Sequence, residues 1–212
     1  DHNSVLATLP AIYQARGQLA CMVIPKRERP AVFSQAQAEQ LARDGAVLVE
    51  QLDGEEPLLL MACGSYQLAE MQRAAVRLRT AGLAYRLVYV QEPGRFRAPR
   101  DRWEAQALAS PEVVAQLFAP ALRRRVLLTH MRPEVARGHL WPLLPDASNT
   151  VVLGYRNRGG TLDEAGMQFA NSATWAHILD ACAQLLQVPL SGVLSAAEIT
   201  AVKGEGDPRV LR

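Results

Sequence analysis

Lys26, His130, Arg156 and the glycine pair Gly159-Gly160 are the residues of this 212-residue sequence whose types and settings could do chemistry. Lys26 lies in the polar run Lys26-Arg-Glu-Arg-Pro30, just after the apolar run Leu19–Ile24. An ammonium there is compact, charged and able to donate three hydrogen bonds, which suits a phosphate; equally, it is a solvated turn lysine beside Arg27 and Arg29. Only Lys26 and Lys203 are lysines among 23 basic residues, as a base composition favouring arginine codons would produce. A lysine kept under that pressure marks a place where the planar fork of arginine does not fit.

His130 ends an apolar run read as a strand, and ligands of open α/β sheets collect at the carboxyl ends of strands. Without a carboxylate or cysteine at recognisable spacing, a lone histidine is more often structural, and His139 and His177, both in expected helices, carry the same reading. Asn171 and His177 are six residues apart. That is about 240° around one helix, so as members of a single helix they do not share a face. Gly159-Gly160 forms either a turn or a backbone anion site, because glycine permits positive φ and close approach. With His130 and Arg156, these glycines make up the secondary anion or interface positions. The four arginines of Arg95-Phe-Arg-Ala-Pro-Arg-Asp-Arg102 belong to a solvated or interdomain loop, or meet a phosphate or acidic surface.

No residue presents itself as catalytic and none as a metal ligand. The sequence has no phosphate loop of Walker type and no Gly-x-Gly-x-x-Gly. It has no Cys/His spacing for zinc and no recognisable Ser-His-Asp or Cys-His nucleophile.

The elements that must position these groups follow from periodicity and punctuation. Val5–Arg16 reads as a helix bent or restarted at Pro10, and Leu19–Ile24 as a short buried-type strand. Ser34 caps a helix over Gln35–Arg43, and Val47–Leu52 is a strand. A composition change at Asp53–Pro57 marks a boundary. Beyond it come strand Leu58–Ala62 and helix Tyr66–Thr80, the latter capped by Ser65, closed by Gly82 and buried through Leu68, Met71, Ala75 and Leu78. Next are strand Tyr85–Val90, the basic loop, helix Pro111–Phe118, strand Val126–Thr129 and helix Pro133–Leu140. Strand Thr150–Leu153, one long helix Gln168–Gln187 with Trp175, Ile178, Cys182 and Leu185 inward, and a last helix Ala196–Val202 complete the chain. Such alternation predicts an α/β fold, a mostly parallel sheet with helices on both faces.

Bulk properties narrow the function. A sequence 49% hydrophobic and 21% charged can bury a substantial core. A net charge of +2 gives no reason to expect nucleic acid or an anionic membrane as partner. No apolar run reaches the ~18 residues of a membrane span, and the first residues lack the pattern of a signal peptide. Cys21, Cys63 and Cys182, odd in number and in apolar surroundings, read as reduced core thiols of a cytoplasmic protein.

Several of these segments in order carry a family resemblance. Gly154-Tyr-Arg…Gly-Gly160-Thr…Met167…Asn171…His177 resembles the last part of phosphoketolases, thiamine-diphosphate enzymes of the transketolase superfamily. Asp1-His-Asn…Tyr13-Gln-Ala-Arg16…Val23-Ile-Pro-Lys26 resembles the end of their pyrimidine-binding domain. Leu58–Gly64 with Ser65 looks like the strand and Gly-Ser turn that open the transketolase-type C-terminal domain. Arg125–Leu140, with His130 and His139, is similar to a further histidine-bearing region. The chain departs from the pattern at Pro25-Lys26-Arg27-Glu28, where Gly-Lys-Gln-Pro is usual, and in a shortened threonine run after Gly160. The resemblance implies residues 1–29 as the tail of a pyrimidine-binding-type domain, 30–56 as a linker and 57–212 as the C-terminal domain. It further implies Lys26 as a ligand of the substrate phosphate, upstream domains of the same polypeptide, and a homodimer. The whole enzyme would cleave a ketose phosphate, xylulose 5-phosphate for choice, with phosphate as acceptor. The superfamily's Gly-Asp-Gly…Asn motif for diphosphate and Mg²⁺ is missing, so thiamine diphosphate and Mg²⁺ are expected on the upstream domains, and this piece alone is expected to be inactive. The alternatives are a transketolase-like or other ketose-phosphate enzyme, and a non-catalytic α/β module for binding or oligomerisation.

Overall fold

The computed structural model describes residues 1–17, 19–156 and 160–212. A five-stranded sheet with the order β1-β3-β2-β4-β5 organises the chain. Its strands are β1 (Ala46–Leu52), β2 (Leu58–Cys63), β3 (Tyr85–Val90), β4 (Arg125–Thr129) and β5 (Thr150–Leu153). Strands β3, β2, β4 and β5 pair in parallel, as expected for an α/β fold, while β1 joins the edge antiparallel to β3. Central β2, Leu-Leu-Leu-Met-Ala-Cys, is buried throughout, the continuous apolar run that a parallel strand covered on both faces requires.

Alternate residues feed two cores. Leu58, Leu60 and Ala62 with Leu87 and Leu128 pack under α2 (Gln35–Asp44), α3 (Ser65–Thr80), α8 (Trp175–Leu186) and α9 (Ala196–Val202). On the other face, Leu59, Met61, Val88 and Leu127 meet Phe96, Leu117, Phe118, Leu140 and Leu143, contributed by the loop after β3, α5 (Pro111–Leu117) and the region of α6 (Pro133–His139). The basic loop after β3 is ordered around a one-turn helix, α4 (Arg102–Ala105), where Arg97 and Arg100 both pair with Glu104.

The N-terminal helix, α1 (His2–Gln14), runs through Pro10 and is closed by a capping box at Asp1. Asp1 Oδ2 accepts the Phe33 N–H at 2.9 Å and Asn3 Nδ2 donates to Phe33 O at 2.7 Å, which ties this helix to the strap before α2. Helix α2 starts at the expected Ser34, again with a capping box, and stops at Gly45, whose φ of 79° lets the chain reverse into β1. Residues 35–52 of the expected linker are thus built into the sheet as α2 and β1. A bulge in β1 shifts the register between Leu48 and Glu50, so Val49 has no opposite number on β3.

Four expectations need correction. Leu19–Ile24 is not a strand: it has no ladder partner, and Leu19, Val23 and Ile24 are exposed. An apolar run becomes a strand only where another strand pairs with it, and none of the five strands of the sheet does so here. Cys21, in this segment, is therefore exposed rather than a core thiol, whereas Cys63 and Cys182 are buried. The N-cap of α3 is Gly64, with no capping side chain, and Ser65 is the first helical residue. The long last helix is two: α7 (Glu164–Ala170) and α8, separated at Asn171–Thr174 by Ser172 at φ 55°. No helix among the described residues is long and apolar enough to cross a membrane.

Candidate functional site at the carboxyl edge of the sheet

The chain leaves β2 for β3 on one side and later places β4 on the other. The carboxyl ends of β2 and β4 therefore flank the topological switch point, where crevices for ligands form in open α/β sheets. His130 immediately follows β4 and stands at this point. Its N–H donates to Cys63 O at 3.2 Å, and its Nδ1 is 3.1 Å from the same carbonyl. A carbonyl only accepts, so Nδ1 carries the hydrogen and Nε2 is the ring nitrogen left for another partner. Cys63 Sγ lies 4.0 Å from Nδ1, but burial pushes its thiol up to about 11. It is held as a neutral thiol near neutral pH, so the pair is not an activated nucleophile and base.

The next strand end, on β5, is drawn against β4. Tyr155 N–H donates to Met131 O at 3.0 Å. A side chain at Gly154 would run into Met131 O and come within 3.1 Å of Thr129 O, so only glycine allows this approach. Arg156 follows, exposed, with its N–H held at 2.7 Å by Asn171 Oδ1. His177 belongs to the same neighbourhood. Its Nδ1 is 2.7 Å from Thr174 Oγ1, its ring centroid is 5.8 Å from that of Phe169, and the positive charge of Arg156 is felt there. Burial first, then Arg156, holds its pKa down at about 4 against the opposing pull of Asp180, so the ring is neutral at physiological pH. The break at Asn171–Thr174 leaves Asn171 at the end of α7 and His177 in α8, so the angular argument for a single helix does not apply. Sequence reasoning missed this break, although Asn171 followed by Ser-Ala-Thr is a run of residues prone to turns and caps.

The other expected site residues are not gathered here. Lys26 is exposed in a bend of the N-terminal segment and has no hydrogen-bond or ion-pair partner among the described residues. Gly160 is exposed, with open space where a side chain would project, and its carbonyl accepts the Leu162 N–H at 3.0 Å, as in a turn. Gly159 lies outside the described residues. His139 is in the last turn of α6, with basic Arg137 near the same negative helix end.

Arg125 was also missed. It is 4% exposed, and its guanidinium donates to the carbonyls of Leu122 at 2.9 Å, Leu143 at 2.5 Å, and Phe118 and Ala119 at 3.3 Å. It ties the α5–β4 loop to the α6–β5 connection, at the amino edge of the sheet away from the crevice.

Comparison with known proteins finds no matching family model and no matching curated protein. Among solved structures, a split-gene transketolase determined as an inactive β4 tetramer superimposes with a TM-score of 0.51 at 17% identity, over 75% of this chain and 47% of that one. The transketolase from Leishmania mexicana superimposes with a TM-score of 0.50 at 15% identity, over 74% of this chain and 20% of that one. The chain thus spans less than half the length of either structure, and what it shares with a part of these transketolases is the fold: a mixed α/β domain on a five-stranded, mostly parallel sheet.

Proposed function

We propose that the chain is the C-terminal region of a phosphoketolase-like, thiamine-diphosphate-dependent enzyme of the cytoplasm. The whole enzyme cleaves a ketose phosphate, xylulose 5-phosphate in the first instance, and passes the two-carbon unit to inorganic phosphate, giving acetyl phosphate and an aldose phosphate. The observation that carries this reading is the fold shared with transketolase chains over three quarters of the sequence. The ordered Gly154…His177 and Asp1…Lys26 motifs, found without reference to that fold, support it further.

Residues 1–29 then end an upstream pyrimidine-binding-type domain and 57–212 form the C-terminal domain. Helix α2 and strand β1 are the part of the intervening connection that packs onto the C-terminal sheet. Lys26 is the residue of this chain that meets the substrate phosphate, in an active site completed by upstream domains and by a second subunit. Thiamine diphosphate supplies the electron sink for carbon–carbon cleavage. The described residues include no group of three His, Cys, Asp or Glu side chains able to hold a metal ion. The cofactor's Mg²⁺ and diphosphate are assigned to the upstream domains on the sequence motif that this chain lacks, and no step through them is derived for this chain.

The test is turnover by the complete gene product with xylulose 5-phosphate, phosphate, thiamine diphosphate and Mg²⁺. Acetyl phosphate, trapped as its hydroxamate, is the expected product. Transfer of the two-carbon unit to an aldose phosphate instead would assign the transketolase-type reaction, the second reading favoured by the two structural neighbours. Absence of both products, with cofactor bound, would leave the non-catalytic module and sink the proposal.

A further inference from the structure

A recess of about 170 Å³ lies between α3 and the strap that precedes α2. The helix lines it with Ser65, Leu68, Ala69 and Gln72, which share one face at the spacing of successive turns. The strap contributes Val32 and Phe33, and β3 contributes Tyr89, whose ring centroid is 5.2 Å from that of Phe33. The strap is tied on both sides of this space, which keeps it from settling onto the helix. On one side Arg29 pairs with Glu164 at 3.1 Å, its Cζ 4.6 Å from the centroid of the Tyr66 ring. On the other, the Phe33 N–H donates to Asp1 Oδ2 at 2.9 Å and Phe33 O accepts from Asn3 Nδ2 at 2.7 Å.

Size and wall chemistry define what fits. An apolar cavity of about 150 Å³ takes benzene, so this recess has room for one six-membered ring. Its walls are mainly carbon, and small-molecule sites are typically apolar with a few polar groups that fix orientation. Three such groups are present: the hydroxyls of Ser65 and Tyr89 and the amide of Gln72, none with a hydrogen-bond partner among the described residues. Burial raises the pKa of Tyr89, so its hydroxyl keeps its proton and can both donate and accept. The charges on the rim are engaged. Arg29 is paired with Glu164, the Asp1 carboxylate accepts the N–H groups of Ser4, Val32 and Phe33, and the Asp1 amino group donates to Ser4 Oγ at 3.0 Å. An ionised ligand would therefore meet no free counter-charge here.

We propose that the recess binds a small uncharged molecule of about one ring, apolar over most of its surface and carrying a hydroxyl, as phenols do. The ring packs on Leu68, Ala69 and Phe33, and the hydroxyl exchanges a hydrogen bond with Tyr89 Oη. This site uses none of the residues assigned above to the ketose phosphate, so it stands or falls apart from that reaction.

Amide chemical shifts of the 212-residue chain, followed by NMR during titration, provide the test. Phenol, toluene and benzoate are added separately. Phenol should give saturable shifts at Leu68, Ala69, Gln72 and Tyr89, with a Kd of about 1–10 mM, as suits so small a ligand. Tyr89→Phe should weaken phenol about 3- to 10-fold, the scale of one neutral hydrogen bond, and leave toluene unchanged. Ala69→Leu fills the recess and should abolish the shifts with both. Benzoate, similar in shape but charged, should bind more weakly than phenol. Shifts with phenol that fail to saturate, an affinity for phenol untouched by either substitution, an equal loss for phenol and toluene in Tyr89→Phe, or tighter binding of benzoate would each overturn the site.

Discussion

Asn171 holds the main chain of Arg156: its Oδ1 accepts the Arg156 N–H at 2.7 Å while its Nδ2 donates to Met167 O at 2.8 Å. The residue is 4% exposed, so neither bond can be replaced by bulk water without opening the structure. Replacing Asn171 by Ala should destabilise the chain by about 1–3 kcal/mol, the range for a buried donor or acceptor left unpaired. Urea unfolding measures the loss. In native-state hydrogen exchange the Arg156 amide should lose protection before the amides of β5 do; unchanged protection at Arg156 would mean that the turn holds without Asn171.

His177 should make stability depend on pH. Its pKa falls from 6.5 to about 4 on folding, so between these values the unfolded chain binds more protons than the folded one. Stability attributable to this group is complete above about pH 6.5 and is lost as pH falls toward 4, on the order of 3 kcal/mol in total. His177→Gln, able to keep a bond to Thr174, should flatten that part of the curve. Urea midpoints of the two proteins taken from pH 7.5 down to 4.5 test it: parallel curves would refute the assignment.

Arg125→Lys should destabilise more than a change of one basic residue for another suggests. The guanidinium divides its donors among four carbonyls, a geometry that a single ammonium cannot reproduce. A loss of about 2–4 kcal/mol is expected from bonds of a charged donor in a buried setting. Burial also lowers the pKa of Arg125 from its ordinary value, and a lysine there would meet the same penalty with fewer partners. Thermal unfolding at neutral pH is sufficient to see it.

Lys26 bears on the proposed reaction and not on the fold. It is exposed and without a partner among the described residues, so Lys26→Ala should leave the stability of the chain within about 0.5 kcal/mol. In the complete enzyme, kcat/KM for a phosphorylated ketose should fall about 10- to 100-fold if the ammonium meets the phosphate. Equal kcat/KM for the two proteins would leave it a surface lysine.

The sheet was legible because its strands are local: Leu58–Cys63, Tyr85–Val90, Arg125–Thr129 and Thr150–Leu153 are apolar runs that find one another whatever lies between them. Capping was legible where a side chain supplied it, at Ser34, and misread at α3, where an apparent cap, Ser65, gave way to a glycine. Leu19–Ile24 misled for a related reason. Its composition says that it can be a strand, and only the presence of a neighbour says that it is one. The crevice residues were the least legible. His130 could be placed at a strand end, but that its ring would meet the Cys63 carbonyl depends on the crossover from β2 to β4, a distance of 67 residues in sequence between Cys63 and His130. Asn171 and His177 were quoted in a motif and read as parts of one helix, which the turn at Ser172 interrupts.

The bulge at Val49 has a consequence for solubility. A sheet bordered by a straight strand offers an open row of donors and acceptors to any passing chain, and β1 would be that strand here. The register shift breaks the row in the middle, Gln37 Nε2 donates to the Leu48 carbonyl at 3.4 Å, and Glu50 beside it is paired with Arg79. A newcomer would have to match an interrupted ladder and displace a helix side chain at the same step. The molecule can therefore be concentrated without zipping edge to edge along β1, and self-association, where it occurs, must begin at another surface.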